Sequence, residues 1–274
     1  MILTFKEIND LKKSLAEKKK EIDISLDLGI SKSKIKLVRN LVLFPDGNKV
    51  DLSDIGRIDE RSCYLVTKNK LVKIQTFSRE TNKHYKLVPT KDWPTITISG
   101  VPMHQKTRIT PRQDTIEKTS FKINGKILDT CTGLGYTAIL ASKKAEKVIT
   151  IEHDDNVLEI TKLNPYSKEL FTSKNIELKR GDIRDIIKRF KKNEFDFIIH
   201  DPPTFKLAGE LYGREFYRQL YRVLKVNGEL FHYTGRGGVS KGRSFIDEVI
   251  IRLKEVGFRD IKKVMNEQAV ICKK

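Results

Sequence analysis

The chain has 274 residues, with 54 lysines and arginines against 36 aspartates and glutamates, a formal net charge of +18. Such a surplus favours a polyanionic partner, because each cation that meets a phosphate releases condensed counterions; a lysine-rich surface that only solvates the protein is the bland alternative. No apolar run approaches the roughly eighteen residues of a membrane span, and Cys63, Cys131 and Cys272 are too few and too scattered for a disulfide framework or a paired-cysteine zinc site, so the expectation is a cytoplasmic protein, without metal or membrane attachment.

Thr4 followed three residues later by Glu7 is a capping box, and Phe5, Ile8, Leu11 and Leu15 recur at helical spacing, which predicts an N-terminal amphipathic helix. From Ile22 the period becomes two: Ile22, Ile24, Leu26 and Leu28 alternate with polar residues, and Ile35 and Leu37 continue the pattern. Turn signals at 45–48, 68–70 and 81–83 separate β-rich runs at 41–44, 63–67, 71–77 and 85–88. Residues 1–95 are therefore expected to form a small, mostly β domain, followed by a connector over 96–110.

Thr110-Pro111 supplies an N-cap with proline at the first helical position, predicting a helix from Pro111 to about Lys118. Beyond it β-like runs at 126–130, 147–151, 176–180, 195–200 and 228–233 alternate with helical patterns. That alternation predicts an α/β domain over 111–274 with a parallel, doubly wound sheet.

The first of these strands ends in Asp129-Thr130-Cys131-Thr132-Gly133-Leu134-Gly135 and runs into an apolar helix. Glycines at such a junction let a ligand approach the backbone, but Cys131 stands where a dinucleotide fingerprint has its first glycine, which argues against NAD or FAD. The next strand ends at Glu152, placed to accept both hydroxyls of a ribose, and the third at Gly181-Asp182, placed to meet an adenine amino group. Each acid alone is a solvated strand end; three in succession make a nucleoside site.

The fourth strand ends in His200-Asp201-Pro202-Pro203-Thr204-Phe205, a carboxylate followed by two rigid prolines at the edge where open α/β sheets bind ligands. Together with Asp129, Gly133, Gly135, Glu152 and Asp182, this motif resembles class I S-adenosylmethionine-dependent methyltransferases of the amino-methylating group, whose sheet is Rossmann-like. The stretch from His200 to Tyr233, with Ser25 to Gly29, is similar to a family of predicted archaeal methyltransferases.

The resemblance implies S-adenosylmethionine as cofactor, with Asp129, Thr130, Gly133 and Gly135 at its methionine end, Glu152 at the ribose, and Asp182 with Ile183 at the adenine. It implies that Asp201 accepts a hydrogen bond from the target amine and that Phe205 flanks the substrate ring; the Pro202 carbonyl is a second acceptor for that amine, and Pro202 with Pro203 fixes the backbone. Many relatives carry an aromatic directly after the two prolines; here Thr204 takes that place and Phe205 comes one position later, which leaves the target atom open.

Cytosine C5 chemistry needs a nucleophilic cysteine near the substrate, and Cys131 lies in the cofactor loop, so that chemistry is set aside. His200 and His232 either line the substrate pocket or are packed strand histidines. The glycine-rich loop from Arg236 to Arg243, with Lys241, is suited to phosphates or is only a loop. The preferred reading is an RNA methyltransferase acting on N4 of cytidine in ribosomal RNA. A purine N-methyltransferase of rRNA or tRNA, a polyamine aminopropyltransferase and a non-catalytic RNA-binding assembly factor are the alternatives.

Overall fold

The computed structural model describes residues 1–54, 58–235, 239–240, 243–266 and 268–274. They divide into two compact units, Met1–Arg112 with Lys162–Pro165, and Gln113–Thr161 with Tyr166–Lys274.

In the first unit β1 (Ile2–Leu3) leads into α1 (Phe5–Ala16). The Thr4 hydroxyl accepts from the Lys6 N–H and the Glu7 carboxylate accepts from the Thr4 N–H at 2.9 Å, the reciprocal cap expected of this spacing. β2 (Glu21–Ile24), β3 (Ser33–Val38), β4 (Leu41–Leu43) and β5 (Lys49–Asp51) form an antiparallel meander. β6 (Tyr64–Thr67) pairs with β1 and with β7 (Lys70–Lys73). Ile8, Leu11, Ile24, Ile35, Val42 and Val66 meet in one buried cluster, so the alternating residues of these short strands turn inward together.

The run 71–77 is two strands, because buried Ile74 leaves β7 and its N–H goes to the Cys63 carbonyl, after which β8 (Gln75–Ser78) joins another sheet. That sheet has the order β11-β10-β9-β8, with β9 (Lys83–Val88), β10 (Thr95–Ile98) and β11 (Val101–Pro102). The stretch expected as a connector thus begins with a hairpin turning at Ser99 and Gly100, both at positive φ.

In the second unit α2 (Pro111–Lys118), cut near its start by the unit boundary, precedes β12 (Lys126–Asp129), α3 (Tyr136–Ser142), β13 (Lys147–Glu152), α4 (Asp155–Leu163), α5 (Lys168–Thr172), β14 (Ile176–Arg180) and α6 (Ile183–Ile186). Then come β15 (Phe195–His200), α7 (Phe205–Ala208), α8 (Arg214–Val223), β16 (Leu224–Tyr233) and the short β17 (Val239–Ser240) and β18 (Arg243–Ser244). α9 (Phe245–Val256), β19 (Arg259–Val264) and β20 (Ala269–Lys273) complete the unit. The sheet order is β14-β13-β12-β15-β16-β20-β19. The five expected strands are mutually parallel; β19 and β20, which the strand pattern of the sequence does not reveal, add an antiparallel hairpin at one edge.

Alternate strand residues enter two cores. Leu128, Ile149, Ile198 and Leu230 meet α8 and α9 through Leu220, Val249 and Leu253, whereas Ile127, Val148, Phe197 and Phe231 meet α3 through Ala138 and Ala141. Helices on both faces make the sheet doubly wound. The chain runs outward from β12 through β13 to β14, then returns to the other side of β12 for β15, and the crevice at such a reversal is where open α/β sheets bind ligands.

Candidate active site

Asp129 is the last residue of β12 and is completely buried. Its Oδ2 accepts from the hydroxyls of Thr150 at 2.7 Å and Thr137 at 3.3 Å, while Oδ1 is buried with no hydrogen-bond partner among the described residues. Burial pushes this carboxyl up to about 7, opposed by the Thr150 hydroxyl and reinforced by the charge of Asp201. An acceptor left without a donor is costly, and a ligand ammonium is the group that would complete it.

Gly133 and Gly135 both take left-handed φ, +54° and +75°. At Gly135 the space is closed as well, since a Cβ would lie 2.7 Å from Leu170 Cδ2. The loop between them is tied to β13 and α4: the Gly133 N–H donates to Glu152 Oε2 at 2.9 Å, and the Gly133 carbonyl accepts from the Thr161 hydroxyl at 3.1 Å.

Glu152 closes β13, nearly buried, and its other oxygen, Oε1, accepts from the N–H groups of His153 and Asp154 at 3.0 and 2.9 Å. Burial raises its carboxyl above the usual range, and the backbone donors oppose that rise. A carboxylate offers about four acceptor positions, so three backbone bonds leave about one. The expected grip on both ribose hydroxyls is therefore reduced to one of them while this loop geometry holds. Asp182 caps α6, accepting from the Arg184 N–H at 2.8 Å, and is clasped by the Arg184 guanidinium, which with that backbone bond holds its carboxyl below the ordinary value; Ile183 beside it is buried.

Across the crevice, Asp201 comes directly after β15. Its Oδ2 accepts from the ammonium of Lys118 at 2.7 Å, and among the described residues Oδ1 makes no hydrogen bond. Lys118, at the end of α2, is itself buried, 2.9 Å from Asp114 Oδ2 and 4.0 Å from the centre of the Tyr233 ring. Burial alone lowers a lysine, but Asp201 and Asp114 outweigh it and hold Lys118 well above its usual value, while burial raises Asp114. Pro202 is buried and Pro203 exposed, with the Pro203 carbonyl accepting from the Tyr212 hydroxyl at 2.9 Å. Phe205 stands 48% exposed, edge-on to Tyr212 and Phe245 at centroid distances of 5.7 and 5.3 Å.

His200 and His232 are fully buried. His200 Nε2 lies 3.0 Å from the Leu211 carbonyl, which only accepts, so Nε2 carries the proton and Nδ1 accepts from the Thr130 hydroxyl at 2.8 Å. By the same logic His232 Nδ1 donates to the His200 carbonyl and Nε2 accepts from the Tyr217 hydroxyl at 2.9 Å. Burial lowers both rings, His200 to about 4. The pocket-lining role is corrected: with every ring nitrogen engaged and no open surface, these are packed strand histidines.

Arg236 and Lys241 of the basic loop lie outside the described residues, and Arg243 opens β18. The chain places Asp129, Thr130, Gly133, Gly135, Glu152 and Asp182 along the carboxyl ends of β12, β13 and β14, and Asp201 to Phe205 at the end of β15. Lys118, Asp114 and Tyr212 do not stand out in the sequence. The four-residue spacing of Asp114 and Lys118, which puts both on one face of α2, is the signal available.

Residues 127–228 match the family described as "Methyltransferase domain". The uncharacterized protein MJ1233 of Methanocaldococcus jannaschii is 42% identical over 273 residues, 96% of this chain and 93% of that protein. A second uncharacterized protein of that organism, MJ0670, is 32% identical over 136 residues, 40% of this chain and 37% of its own length. Spermidine synthase from Thermotoga maritima superimposes with a TM-score of 0.54 at 19% identity, covering 76% of each chain. MNMC2 from Aquifex aeolicus does so with 0.51 at 17%, covering 69% of this chain and 70% of its own, and at such identities the likeness is one of fold. No helix among the described residues is long and apolar enough to cross a membrane. The chain therefore belongs to the family of MJ1233, and it carries a class I methyltransferase domain whose cofactor is S-adenosylmethionine.

Proposed function

We propose that the protein methylates an exocyclic amine of an RNA base, with N4 of cytidine in ribosomal RNA as the favoured atom. The observation that carries this reading is Asp201: a carboxylate at the switch point, one oxygen fixed by Lys118 and the other uncommitted among the described residues.

The residues present fit the cofactor. At its reactive end S-adenosylmethionine carries a sulfonium and an α-ammonium beside one carboxylate, and the edge of the sheet offers Asp129, Glu152, Asp182 and Asp201 to the cationic groups and the hydroxyls of the cofactor. The unpartnered Oδ1 of Asp129 suits the methionine ammonium, Glu152 one ribose hydroxyl and Ile183 the adenine ring, with Asp182 able to meet the adenine amino group where the Arg184 guanidinium yields one of its oxygens. Gly133 and Gly135 keep the backbone low enough for the methionine end, with Thr130 fixed behind them by His200. When bound, the cofactor supplies an electrophilic methyl on a sulfonium.

The lone pair of an exocyclic amine is delocalised into its ring. Asp201 Oδ1, accepting one N–H, favours the geometry in which that pair returns to nitrogen, and takes up the proton the nitrogen sheds before passing it to water. Pro202 and Pro203 hold the acceptor still, with the Tyr212 hydroxyl clamping the second proline. The half-exposed Phe205 ring offers a face on which a base stacks, worth about 1–3 kcal/mol in single-stranded recognition. The charge of +18, shared between both halves of the chain, supplies attraction for the phosphates, with Arg236, Lys241 and Arg243 as candidate contacts.

Tritiated S-adenosylmethionine, unmodified ribosomal RNA and nucleoside digestion test the reading. Label in N4-methylcytidine that falls on the order of 100-fold in Asp201→Asn, at nearly unchanged cofactor affinity, is the expected result. Label in a purine moves the atom and keeps the class, and transfer undiminished by Asp201→Asn overturns the mechanism.

A further inference from the structure

Resting on that reading of Asp201, we infer that Lys118 is the positioning residue of the reaction: it fixes one carboxylate oxygen of Asp201 so that the other meets the target amine in a single orientation. The two residues are 83 positions apart and are joined at 2.7 Å. The Lys118 side chain is only 4% exposed and that of Asp201 21%, so the ammonium approaches from beneath and leaves the carboxylate one open side.

A buried ammonium needs compensation from every direction. Around Lys118 these groups are Asp114 from one turn back on α2, Asp201 after β15 and the face of Tyr233 on β16, with Glu117 acting on Asp114 from farther off. Both carboxylates meet the ammonium, Asp114 Oδ2 at 2.9 Å and Asp201 Oδ2 at 2.7 Å, and the shorter contact is an aligned hydrogen bond. The directed bond thus goes to the group at the crevice. A carboxylate on a flexible χ1–χ2 pair has several rotamers; one aligned donor and the rigid Pro202-Pro203 next in the chain select one of them. The Lys118 charge also offsets that of Asp201, so the acceptor suits an uncharged amine better than an ammonium.

The test is a double-mutant cycle with Lys118→Gln, Asp201→Asn and the pair, in the full chain, counting tritium in whichever nucleoside receives it. Lys118→Gln is expected to lower kcat by about tenfold or more, with cofactor Kd and RNA KM each within about threefold. In the Asp201→Asn background the same change should cost less than about twofold, because there is no carboxylate left to position. Should Lys118→Gln fail to fold, Lys118→Met combined with Asp114→Asn removes the donor without stranding a buried charge, and the same loss of kcat is expected. Equal losses in both backgrounds, or an unchanged kcat in a folded variant, overturn the inference. Transfer that ignores Asp201→Asn overturns instead the reading beneath it.

Discussion

The Thr130 hydroxyl donates to Nδ1 of His200 across 2.8 Å, both groups buried, and so joins the residue after Asp129 to the residue before Asp201. The two carboxylates on either side of the switch point are held in register by this bond as well as by the β12–β15 ladder, in which Asp129 pairs with Ile199.

The bond requires a neutral His200, whose value burial lowers from 6.5 to about 4. A histidine depressed in the folded state contributes stability that is fully present above about pH 6.5 and lost as pH falls through 4, about 3 kcal/mol in all. Asp129, raised by burial to about 7, works in the opposite direction but does so in wild type and variant alike. The stability gap between wild type and His200→Gln, from urea denaturation, should shrink by about that amount between pH 7 and pH 4. A gap independent of pH refutes the neutral, buried role.

Glu152 is bonded to three backbone N–H groups and keeps about one acceptor position for the cofactor. Glu152→Ala should weaken S-adenosylmethionine binding by about 1–3 kcal/mol, and Glu152→Gln by less, because an amide oxygen still accepts from the backbone. Titration calorimetry on both variants reads the difference. Equal affinities in all three proteins would remove Glu152 from the site.

Gly135 combines a left-handed backbone with a blocked Cβ position. Gly135→Ala should cost about 1–3 kcal/mol and lower the melting temperature by several degrees. Leu170→Ala opens a cavity of its own, costing about 2–5 kcal/mol, but relieves the clash, so the double variant should lose less than the two single losses added together. A Gly135→Ala protein that melts like wild type would contradict the loop geometry.

Much of this site is visible in the order of residues because its parts are local. Asp129 to Gly135, Glu152, Asp182 and Asp201 each stand at the end of an apolar run, and strand ends of a parallel sheet share one edge whatever the details of packing. Lys118 is not visible in this way. The α2 sequence Pro-Arg-Gln-Asp-Thr-Ile-Glu-Lys has the look of a solvated stretch of helix, and only the burial of Lys118 against Asp201 and the Tyr233 ring turns it into a partner for Asp201. β19 is hidden for a related reason: it is an edge strand, and its charged Arg259, Asp260, Lys262 and Lys263 mask the alternation that marks a paired strand. The histidines are ambiguous in sequence because a strand-end imidazole is equally compatible with a pocket and with a core. The rings of Phe216 and Tyr217 from α8, close against His200, decide for the core.

The reversal of winding at β12 also divides the edge by sequence. Everything assigned to the nucleoside end falls between 129 and 183, on consecutive strands, and everything assigned to the acceptor falls from 200 onward, with Lys118 as the exception from upstream. On the proposed function, exchanging the segment 201–245 for that of a relative is then a transplant of target choice that leaves the methyl donor's seat untouched. The graft takes only where residue 118 still matches the residue that succeeds β15, so this lysine is the compatibility constraint for anyone recombining the two parts.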